Sequence, residues 1–307
     1  MKTPLVSVII PMYNTGASCL ELIKTLQEST YKNIEIICID DGSVDNSFDT
    51  IKSYVKNKKN IILKKQKNAG ASAARNEGIR IASGDWISFI DSDDLVDKTF
   101  IEKLVSAYNN KTILVNVALQ YNRISSNASY VDFMKTLRQK KKNENLKEYF
   151  LYSMLFDGRL YGVITKLFRY DIINENNIRF DTSLTFAEDT KFVLDYINAA
   201  IKYYPETATI KSIYEPLYIY NFGTETSTVA RSSLDWKNWK KSYKNLKNWA
   251  NDSLSLTMRV RLCLILCRWR ISHALAVARS GISRSEKKKY LNPLELFMSN
   301  ILVKIRK

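Results

Sequence analysis

The sequence has few of the residues that build disulfide-rich, fibrous or metal-thiolate proteins. Its 307 residues include four cysteines, five prolines, nine glycines and one histidine, His273. Cys263 and Cys267 lie one helical turn apart, but no second pair of cysteine or histidine ligands lies nearby, so we expect neither a zinc site nor a disulfide framework. We therefore expect all four cysteines to be reduced, which favours a reducing compartment. Scarce glycine and proline argue against fibrous or low-complexity structure.

Long apolar runs are also missing. The N-terminus passes directly into the strand-like Leu5–Ile10, without a separate apolar segment and cleavage site. Near the C-terminus the longest unbroken apolar run is Leu262 to Cys267, whereas a membrane-spanning helix needs about 20 residues. The sequence therefore predicts a cytoplasmic protein that does not cross a membrane.

Acidic residues are outnumbered, 31 against 47 basic ones, which gives a formal net charge of +16. Such an excess attracts an anionic partner, such as nucleic acid, a phosphorylated substrate or an acidic lipid surface, unless it reflects only a lysine-rich surface. The C-terminal region 231–307 is predicted to be helical, basic and tryptophan-containing. It suits an anionic membrane surface, and equally a packing unit such as a homo-oligomer interface.

The residues that are present support a folded α/β domain. Apolar residues make up 45% of the chain and aromatic residues 11%, which is enough for a sizeable core. Short β-rich runs alternate with stretches of helical periodicity. The predicted strands are Val6–Ile10, Ile34–Ile39, Ile61–Lys65 and Trp86–Ile90, and the helices between them are Ser18–Ser29, Ser47–Lys56 and Ala71–Ala82. This rhythm predicts a mostly parallel sheet that binds ligands beyond the carboxyl ends of its strands.

The most informative stretch, Asp91-Ser92-Asp93-Asp94, follows directly after the strand Trp86–Ile90. Two carboxylates one residue apart at a strand end can point toward one centre. Mg²⁺ and Mn²⁺ prefer such oxygen ligands and would bridge them to phosphate oxygens. Taken alone, the stretch fits equally well an Asp-rich turn that caps a predicted helix, Asp97–Ala107.

The ends of the other three strands carry further groups that suit a nucleotide. They are Pro11, Tyr13 and Asn14 after the first strand, Asp40 and Asp41 after the second, and Asn68, Gly70 and Arg75 after the third. A carboxylate can accept the imide N–H of uracil, an aromatic ring can flank a base, and an arginine supplies a cation. Turn and capping roles are the alternative at each position, but four coinciding strand ends favour nucleotide binding.

These segments resemble glycosyltransferase family 2. The resemblance lies in Val6–Asn14, Ile39–Ser43, Asn68–Asn76 and Gly84–Asp94, in the family's order and spacing from residue 4 to about 105. It implies the GT-A fold, with a domain at 1–230 divided into a nucleotide-sugar-binding half, 1–120, and an acceptor-binding half, 121–230. It also implies inverting, metal-dependent transfer from a UDP-sugar to a hydroxyl of a carbohydrate or lipid-linked saccharide, in bacterial surface polysaccharide biosynthesis.

A second patch extends the resemblance to the acceptor side. Thr165–Arg169 and Asn177–Asp181 lead into Phe186–Phe192, which is similar to the family segment that ends in a Glu-Asp motif. By that resemblance Asp189 takes the proton from the acceptor hydroxyl, with Glu188 beside it. A sugar hydroxyl is a poor nucleophile until a base accepts its proton. Without the family, Glu188 and Asp189 would be an ordinary acidic helix start.

The resemblance implies roles for the other candidate residues as well. The nucleotide-sugar-binding set is Pro11, Tyr13, Asn14, Asp40, Asp41, Asn68, Gly70, Arg75, Asp91 and Ser92. Asp93, with Asp91, would ligate Mn²⁺ or Mg²⁺, and Asp94 would be a water-mediated metal partner or a cap. One departure is Asn221, which follows Tyr218-Ile219-Tyr220 where many members have arginine. The absence of spanning helices favours transfer of a single sugar over polymerisation.

Two alternatives are weaker. A nucleotidylyltransferase would share the nucleotide-binding sheet and the metal carboxylates, but it usually needs a glycine-rich loop with a cation after the first strand. That place holds Tyr13-Asn14-Thr15-Gly16. A basic nucleic-acid-binding protein is suggested by charge alone and explains none of the carboxylates, so we expect no nucleic acid partner.

Overall fold

The computed structural model describes residues 3–123, 149, 162–184, 188–204 and 208–222. The strands are β1 (Val6–Met12), β2 (Ile34–Asp40), β3 (Ile61–Lys65), β4 (Trp86–Phe89), β5 (Leu95–Val96), β6 (Thr112–Arg123), β7 (Lys166–Arg169) and β8 (Thr209–Phe222). The helices are α1 (Gly16–Gln27), α2 (Ser47–Val55), α3 (Ala71–Ile81), α4 (Phe100–Ser106), α5 (Tyr170–Glu175) and α6 (Glu188–Tyr203). The C-terminal region 231–307, with His273, Cys263 and Cys267, lies outside the described residues.

The strands form one curled sheet in the order β3-β2-β1-β4-β7-β6-β8-β5. Strands β3, β2, β1 and β4 are parallel neighbours, as are β6 and β8. Strand β7 is antiparallel to both β4 and β6, and the short β5 is antiparallel to β8. The predicted mostly parallel sheet is confirmed, and β7 joins its two halves.

The first half forms as it does because its strands are apolar on both faces. All seven residues of β1 are buried, and helices cover the sheet on each side, which is typical of parallel strands. The methyl groups of Ile9 face Gly78 of α3, where a Cβ would lie only 2.4 Å from Ile9 Cγ2. Gly78 therefore lets α3 pack directly on the centre of the sheet.

An aromatic cluster attaches α6 to the sheet. Phe89 at the end of β4 packs edge-to-face against Phe168, Phe180 and Phe192, and Phe180 stacks on Phe192 with centroids 4.2 Å apart. Such pairs contribute about 0.5–1.5 kcal/mol each beyond their buried area. Because Phe192 lies one turn after the start of α6, the cluster holds that start near the carboxyl end of β4.

Several elements were not predicted from the sequence. Strands β5, β6 and β7 and helix α5 have no counterpart among the predicted elements. Helix α4 begins later than the predicted Asp97, because the carboxylate of Asp97 accepts the backbone N–H of Thr99 at 2.8 Å and forms a turn before the helix. Among the helices of the described segments, none combines the length and hydropathy that a membrane span requires.

Candidate active site

The loops after β1 and β2 are held together by Asn14, which adopts a left-handed backbone conformation with φ of 54°. Its backbone N–H donates to Oγ of Ser43 at 2.9 Å, and its side-chain Oδ1 accepts the N–H of Val44 at 3.0 Å. Asparagine tolerates this conformation better than most residues. Tyr13 is 43% exposed beside it, whereas Pro11 is buried. The loops thus present an aromatic ring at the rim of the sheet.

Asp41 organises the loop after β3. The buried carboxylate accepts Nε2 of Gln66 at 2.8 Å and the backbone N–H groups of Ala69 at 2.9 Å and Gly70 at 2.7 Å. A carboxylate has about four acceptor positions, so one remains for a further donor. Gly70 has φ of 90° and precedes α3 in a conformation that suits glycine. Asn68 is exposed in the same loop.

Asp40, at the end of β2, is fully buried. One oxygen accepts the N–H of Ser43 at 2.6 Å. The other, Oδ2, has no hydrogen-bond partner among the residues that the structure describes. Buried carboxylate oxygens are rarely left in this way, so Oδ2 of Asp40 keeps an unused acceptor position at the end of β2.

The Asp91–Asp94 turn is clamped from β8. The hydroxyl of Tyr218 donates to Oδ2 of Asp94 at 2.7 Å and accepts the N–H of Asp91 at 3.2 Å. Asn221 donates its backbone N–H to Oδ1 of Asp94 at 2.9 Å and its amide to the carbonyl of Asp93 at 2.6 Å. Burial, reinforced by the charge of Asp91, raises the pKa of Asp94 to about 8. The carboxylate of Asp94 therefore stabilises the conformation of the turn.

Arg75 connects the two sides of the site. Its side chain is 6% exposed, and its guanidinium donates to Oδ1 of Asp91 at 2.7 Å and to Oδ1 of Asp189 at 3.2 Å. The guanidinium carbon also lies 5.4 Å from the ring centre of Phe180. Burial alone would lower the pKa of Arg75, but the charges of Asp189 and Asp91 outweigh it and hold the pKa above its ordinary value. One buried cation thus joins the end of β4 to the start of α6.

The carboxylates at the start of α6 are less acidic than usual. Burial is the largest cause for both Glu188 and Asp189, and it raises their pKa values above the ordinary ones. The charge of Arg75 acts in the opposite direction on each. The second oxygen of Asp189, Oδ2, accepts a long hydrogen bond, 3.5 Å, from the N–H of Val163. A carboxylate whose pKa is raised in this way is a stronger base than an ordinary aspartate or glutamate.

The donor set near the Asp91–Asp94 turn fits a divalent cation that is also bound by substrate. Within the described ranges, no group of three or more Asp, Glu, His or Cys side chains is arranged to hold a metal. The half-buried Asp91 and Asp93 offer hard oxygens, and Mg²⁺ and Mn²⁺ are commonly held by one or two carboxylates together with phosphates. The charges of Asp91 and Asp93 add to the larger effect of burial in raising the pKa of Asp94, and a cation would offset these charges.

The structure brings most of the predicted residues to one edge of the sheet and adds others. Ser92 accepts the hydroxyl of Thr15 at 2.8 Å, which links the turn to the loop after β1. Asn76, next to Arg75, pairs its amide with the backbone N–H and carbonyl of Phe180, at 2.8 and 2.9 Å. Tyr218, Asn221 and Asn76 were not predicted as site residues. The only sequence feature that indicated these bonds from β8 to the Asp91–Asp94 turn was the tyrosine-rich strand before Asn221.

Comparisons with known proteins identify the family. The sequence model described as Glycosyl transferase family 2 matches residues 7–162. The uncharacterized glycosyltransferase EpsJ of Bacillus subtilis is 30% identical over 282 residues, which cover 90% of this chain and 78% of EpsJ. A poly(ribitol-phosphate) beta-glucosyltransferase of Bacillus spizizenii is 28% identical over 232 residues, which cover 73% of this chain but 34% of that protein.

Solved structures share the fold. TarS 1–349 of S. aureus has a TM-score of 0.64 at 18% identity, over 92% of this chain and 77% of that one. Its complex with UDP-GlcNAc has a TM-score of 0.58 at 17% identity, over 94% and 70%. The mannosyltransferase PcManGT of Pyrobaculum calidifontis, in complex with GDP-Man and Mn²⁺, has a TM-score of 0.59 at 12% identity, over 98% and 84%.

The fold, the strand-end carboxylates and these matches lead to one assignment. The chain belongs to glycosyltransferase family 2, and it is a glycosyltransferase with the GT-A fold.

Proposed function

We propose that this enzyme transfers a single sugar, with inversion, from a UDP-sugar to a hydroxyl of a carbohydrate or lipid-linked saccharide acceptor in surface polysaccharide biosynthesis. The observation that carries the proposal is the bridge formed by Arg75 between Asp91 and Asp189. It brings a carboxylate from the predicted donor side and the predicted acceptor-side base within reach of one guanidinium. A donor and an acceptor bound at these carboxylates would share one cleft.

A nucleoside diphosphate suits the donor side. Asp41 retains one acceptor position for the imide N–H of uracil, and Asp40 has a buried oxygen at the same strand end. Tyr13 supplies an exposed ring that can stack on a base. TarS, a protein of this fold, has been crystallised with UDP and with UDP-GlcNAc, which supports a nucleotide-sugar donor here too. In this proposal Pro11, Asn14, Asn68, Gly70 and Ser92 line the rest of the donor pocket.

Asp189 acts as the general base. Arg75 holds one of its oxygens and the N–H of Val163 approaches the other, so the carboxylate is fixed while it keeps an unused acceptor position on Oδ2. It accepts the proton of the acceptor hydroxyl as that oxygen attacks the anomeric carbon from the face opposite the departing UDP, which inverts the configuration. Glu188 lies next to it and shapes the local field.

A divalent cation, Mn²⁺ or Mg²⁺, would be held by Asp93 and Asp91. When bound it would offset the charge that develops on the departing diphosphate. The presence of Mn²⁺ in the PcManGT complex is consistent with this proposal. Arg75 neutralises part of the charge of Asp91 and so limits the repulsion between Asp91 and Asp93.

The proposed organisation is a GT-A domain at 1–230, with its donor half at 1–120 and its acceptor half at 121–230, followed by the basic region 231–307. We place the enzyme in the cytoplasm, where the basic region would bring it to the anionic inner face of the plasma membrane, or would join copies into a homo-oligomer. The net charge of +16 supports an anionic surface as partner.

Product analysis tests the reaction class. The protein is incubated with Mn²⁺ and one donor at a time: UDP-glucose, UDP-galactose or UDP-GlcNAc. The released product is identified by chromatography. We expect UDP and a free or transferred sugar from at least one donor, and neither UTP nor a sugar 1-phosphate when pyrophosphate is added. A nucleotidylyltransferase would instead form a sugar 1-phosphate and UTP when pyrophosphate is supplied, and this outcome would overturn the proposal.

A further inference from the structure

Lys166, the first residue of β7, is a buried cation next to the site that the proposed mechanism does not use. Its side chain is 1% exposed, which places it among the largest fully buried side chains of the described chain. A buried ammonium is unfavourable unless nearby groups compensate for its lost hydration. The position of Lys166 on the strand that joins the two halves of the sheet therefore requires an explanation.

The ammonium of Lys166 folds back onto the turn before β7. Nζ donates to the carbonyl of Ile164 at 3.3 Å and lies 3.5 Å from Oγ1 of Thr165. Thr165 adopts φ of 67°, a left-handed conformation that is a genuine outlier for a β-branched residue. Such strained positions persist only when their surroundings hold them, and they cluster at functional sites. Through its bonds to Ile164 and Thr165, Lys166 is one of the groups that surround this strained position.

The same turn carries the N–H that approaches the proposed base. Val163, fully buried at the start of the turn, directs its backbone N–H at Oδ2 of Asp189 across 3.5 Å. The other oxygen of Asp189 is fixed by Arg75. Thus the carboxylate is held from α3 on one side and from the turn of residues 163–166 on the other.

Electrostatics connect Lys166 to the same carboxylate. Burial lowers the pKa of Lys166 to about 7, and the charge of Asp189 opposes that decrease. In return, the charge of Lys166 lowers the pKa of Asp189, against the larger effect of burial. The other charged groups that act on Asp189 are Arg75, Asp91 and the adjacent Glu188.

We propose that Lys166 is a positioning residue for Asp189. By bonding the turn of residues 163–166 it fixes the Val163 N–H beside Oδ2 of Asp189, and its charge favours the ionised carboxylate. The inference rests on the proposed role of Asp189 as the base. It assigns no contact between Lys166 and the substrate.

The test compares Lys166→Met, Lys166→Arg and Asp189→Asn with the wild type. The readouts are kcat and KM for UDP release from the UDP-sugar that the wild type hydrolyses fastest, measured across pH. We expect Lys166→Met to lower kcat by about 10- to 100-fold with an unchanged donor KM, because a small misplacement of a catalytic group has effects of this size. Lys166→Arg, which keeps the charge, should restore part of the loss.

The pH profile separates positioning from a merely structural role. Activity requires ionised Asp189, so the acidic limb follows the pKa of that carboxyl. Removing a nearby positive charge raises this pKa, and we expect the acidic limb of Lys166→Met to move to higher pH by about 0.5–1 unit. Titration of aspartate carboxyls by ¹³C NMR, with the Asp189 signal assigned by its loss in Asp189→Asn, should show the same shift without substrate.

The controls distinguish the possible failures. Lys103→Met removes an exposed lysine of α4 that pairs with Glu215 of β8, and it should leave kcat and the pH profile unchanged. Wild-type turnover in Asp189→Asn would refute the base assignment itself. An inactive Asp189→Asn together with an unshifted, fully active Lys166→Met would overturn only the role of Lys166. If Lys166→Met does not fold, kcat is measured for Thr165→Ala, which removes the hydroxyl next to the ammonium of Lys166. A lower kcat supports the proposal, and an unchanged kcat overturns it.

Discussion

The two halves of the sheet are built in different ways. In the first half, β1 to β4 follow one another along the chain, and each is joined to the next by one helix. The pairs β1–β2 and β2–β3 join consecutive strands, and the one longer-range pair is β1 with β4. In the second half the pairing is distant: β5 at Leu95–Val96 pairs with Tyr218 and Ile219 of β8. The first half can fold around local units, whereas the second depends on closure of long loops.

The candidate site repeats this difference. On the donor side, Asp41 is held by groups 25 to 29 residues away within the same βαβ unit. On the acceptor side, Asp189 is held by Arg75, 114 residues earlier in the chain. The acceptor-side carboxylate therefore depends on the donor half for its charge balance, whereas Asp41 is held by groups of its own half.

Replacement of Arg75 should cause the largest change, because it breaks the connection between the halves. Arg75→Gln leaves Asp91 and Asp189 without their shared cation, and loss of one partner from a buried ion pair typically costs about 3–5 kcal/mol of unfolding free energy. Urea denaturation measures this loss. The control is Arg80→Gln on the same helix, where the ion pair with Glu77 is exposed and we expect a much smaller loss of unfolding free energy. Equal losses in the two variants would contradict the comparison.

A change at Asp41 should be smaller and confined to the donor side. Asp41→Asn cannot accept all three donors of the loop, and leaving one unsatisfied costs about 1–3 kcal/mol. We expect weaker UDP binding by isothermal titration calorimetry, with kcat at saturating donor little changed. Asp45→Asn, an exposed carboxylate in the following turn, is the matched control. Unaltered UDP affinity in Asp41→Asn would remove Asp41 from the donor site.

The smallest effect is expected at Tyr218. Tyr218→Phe removes the hydroxyl that bonds Asp94 and Asp91, at a cost of about 1 kcal/mol for each lost bond, and loosens the turn that carries Asp93. Thermal stabilisation by UDP with Mn²⁺ should decrease relative to Tyr214→Phe, an exposed tyrosine of the same strand. If UDP with Mn²⁺ stabilises both variants equally, the bonds from Tyr218 do not order the Asp91–Asp94 turn.

The sequence was sufficient to predict the first half of the fold. Strands β1 to β4 begin where predicted, because runs such as Val6–Ile10 are apolar without helical periodicity and alternate with amphipathic helices. Strands β6 and β7 were missed. The four residues of β7 are too few to show a pattern, and their pairing with β4 and β6 joins segments far apart in sequence. Such contacts leave no local signal.

The same limit applies to the site. The strand-end residues were recognised because four turns carried compatible groups, and the resemblance to the family placed Asp189 among them. The contacts of Arg75 with Asp91 and Asp189 were not predictable, since a lone arginine on a helix equally suits a phosphate. The roles of Tyr218 and Asn76 depend on backbone groups of Asp91 and Phe180, whose positions only the folded chain defines.

The most direct test of a shared centre compares Asp189→Asn with Asp93→Asn in one assay that yields both turnover and donor affinity. UDP release is measured with the preferred UDP-sugar and Mn²⁺, and UDP binding is measured by calorimetry. Asp189→Asn should lower kcat by about 10²- to 10⁴-fold with donor affinity retained, because it removes a proton acceptor, whereas Asp93→Asn should weaken both. Full turnover in Asp189→Asn would contradict the account.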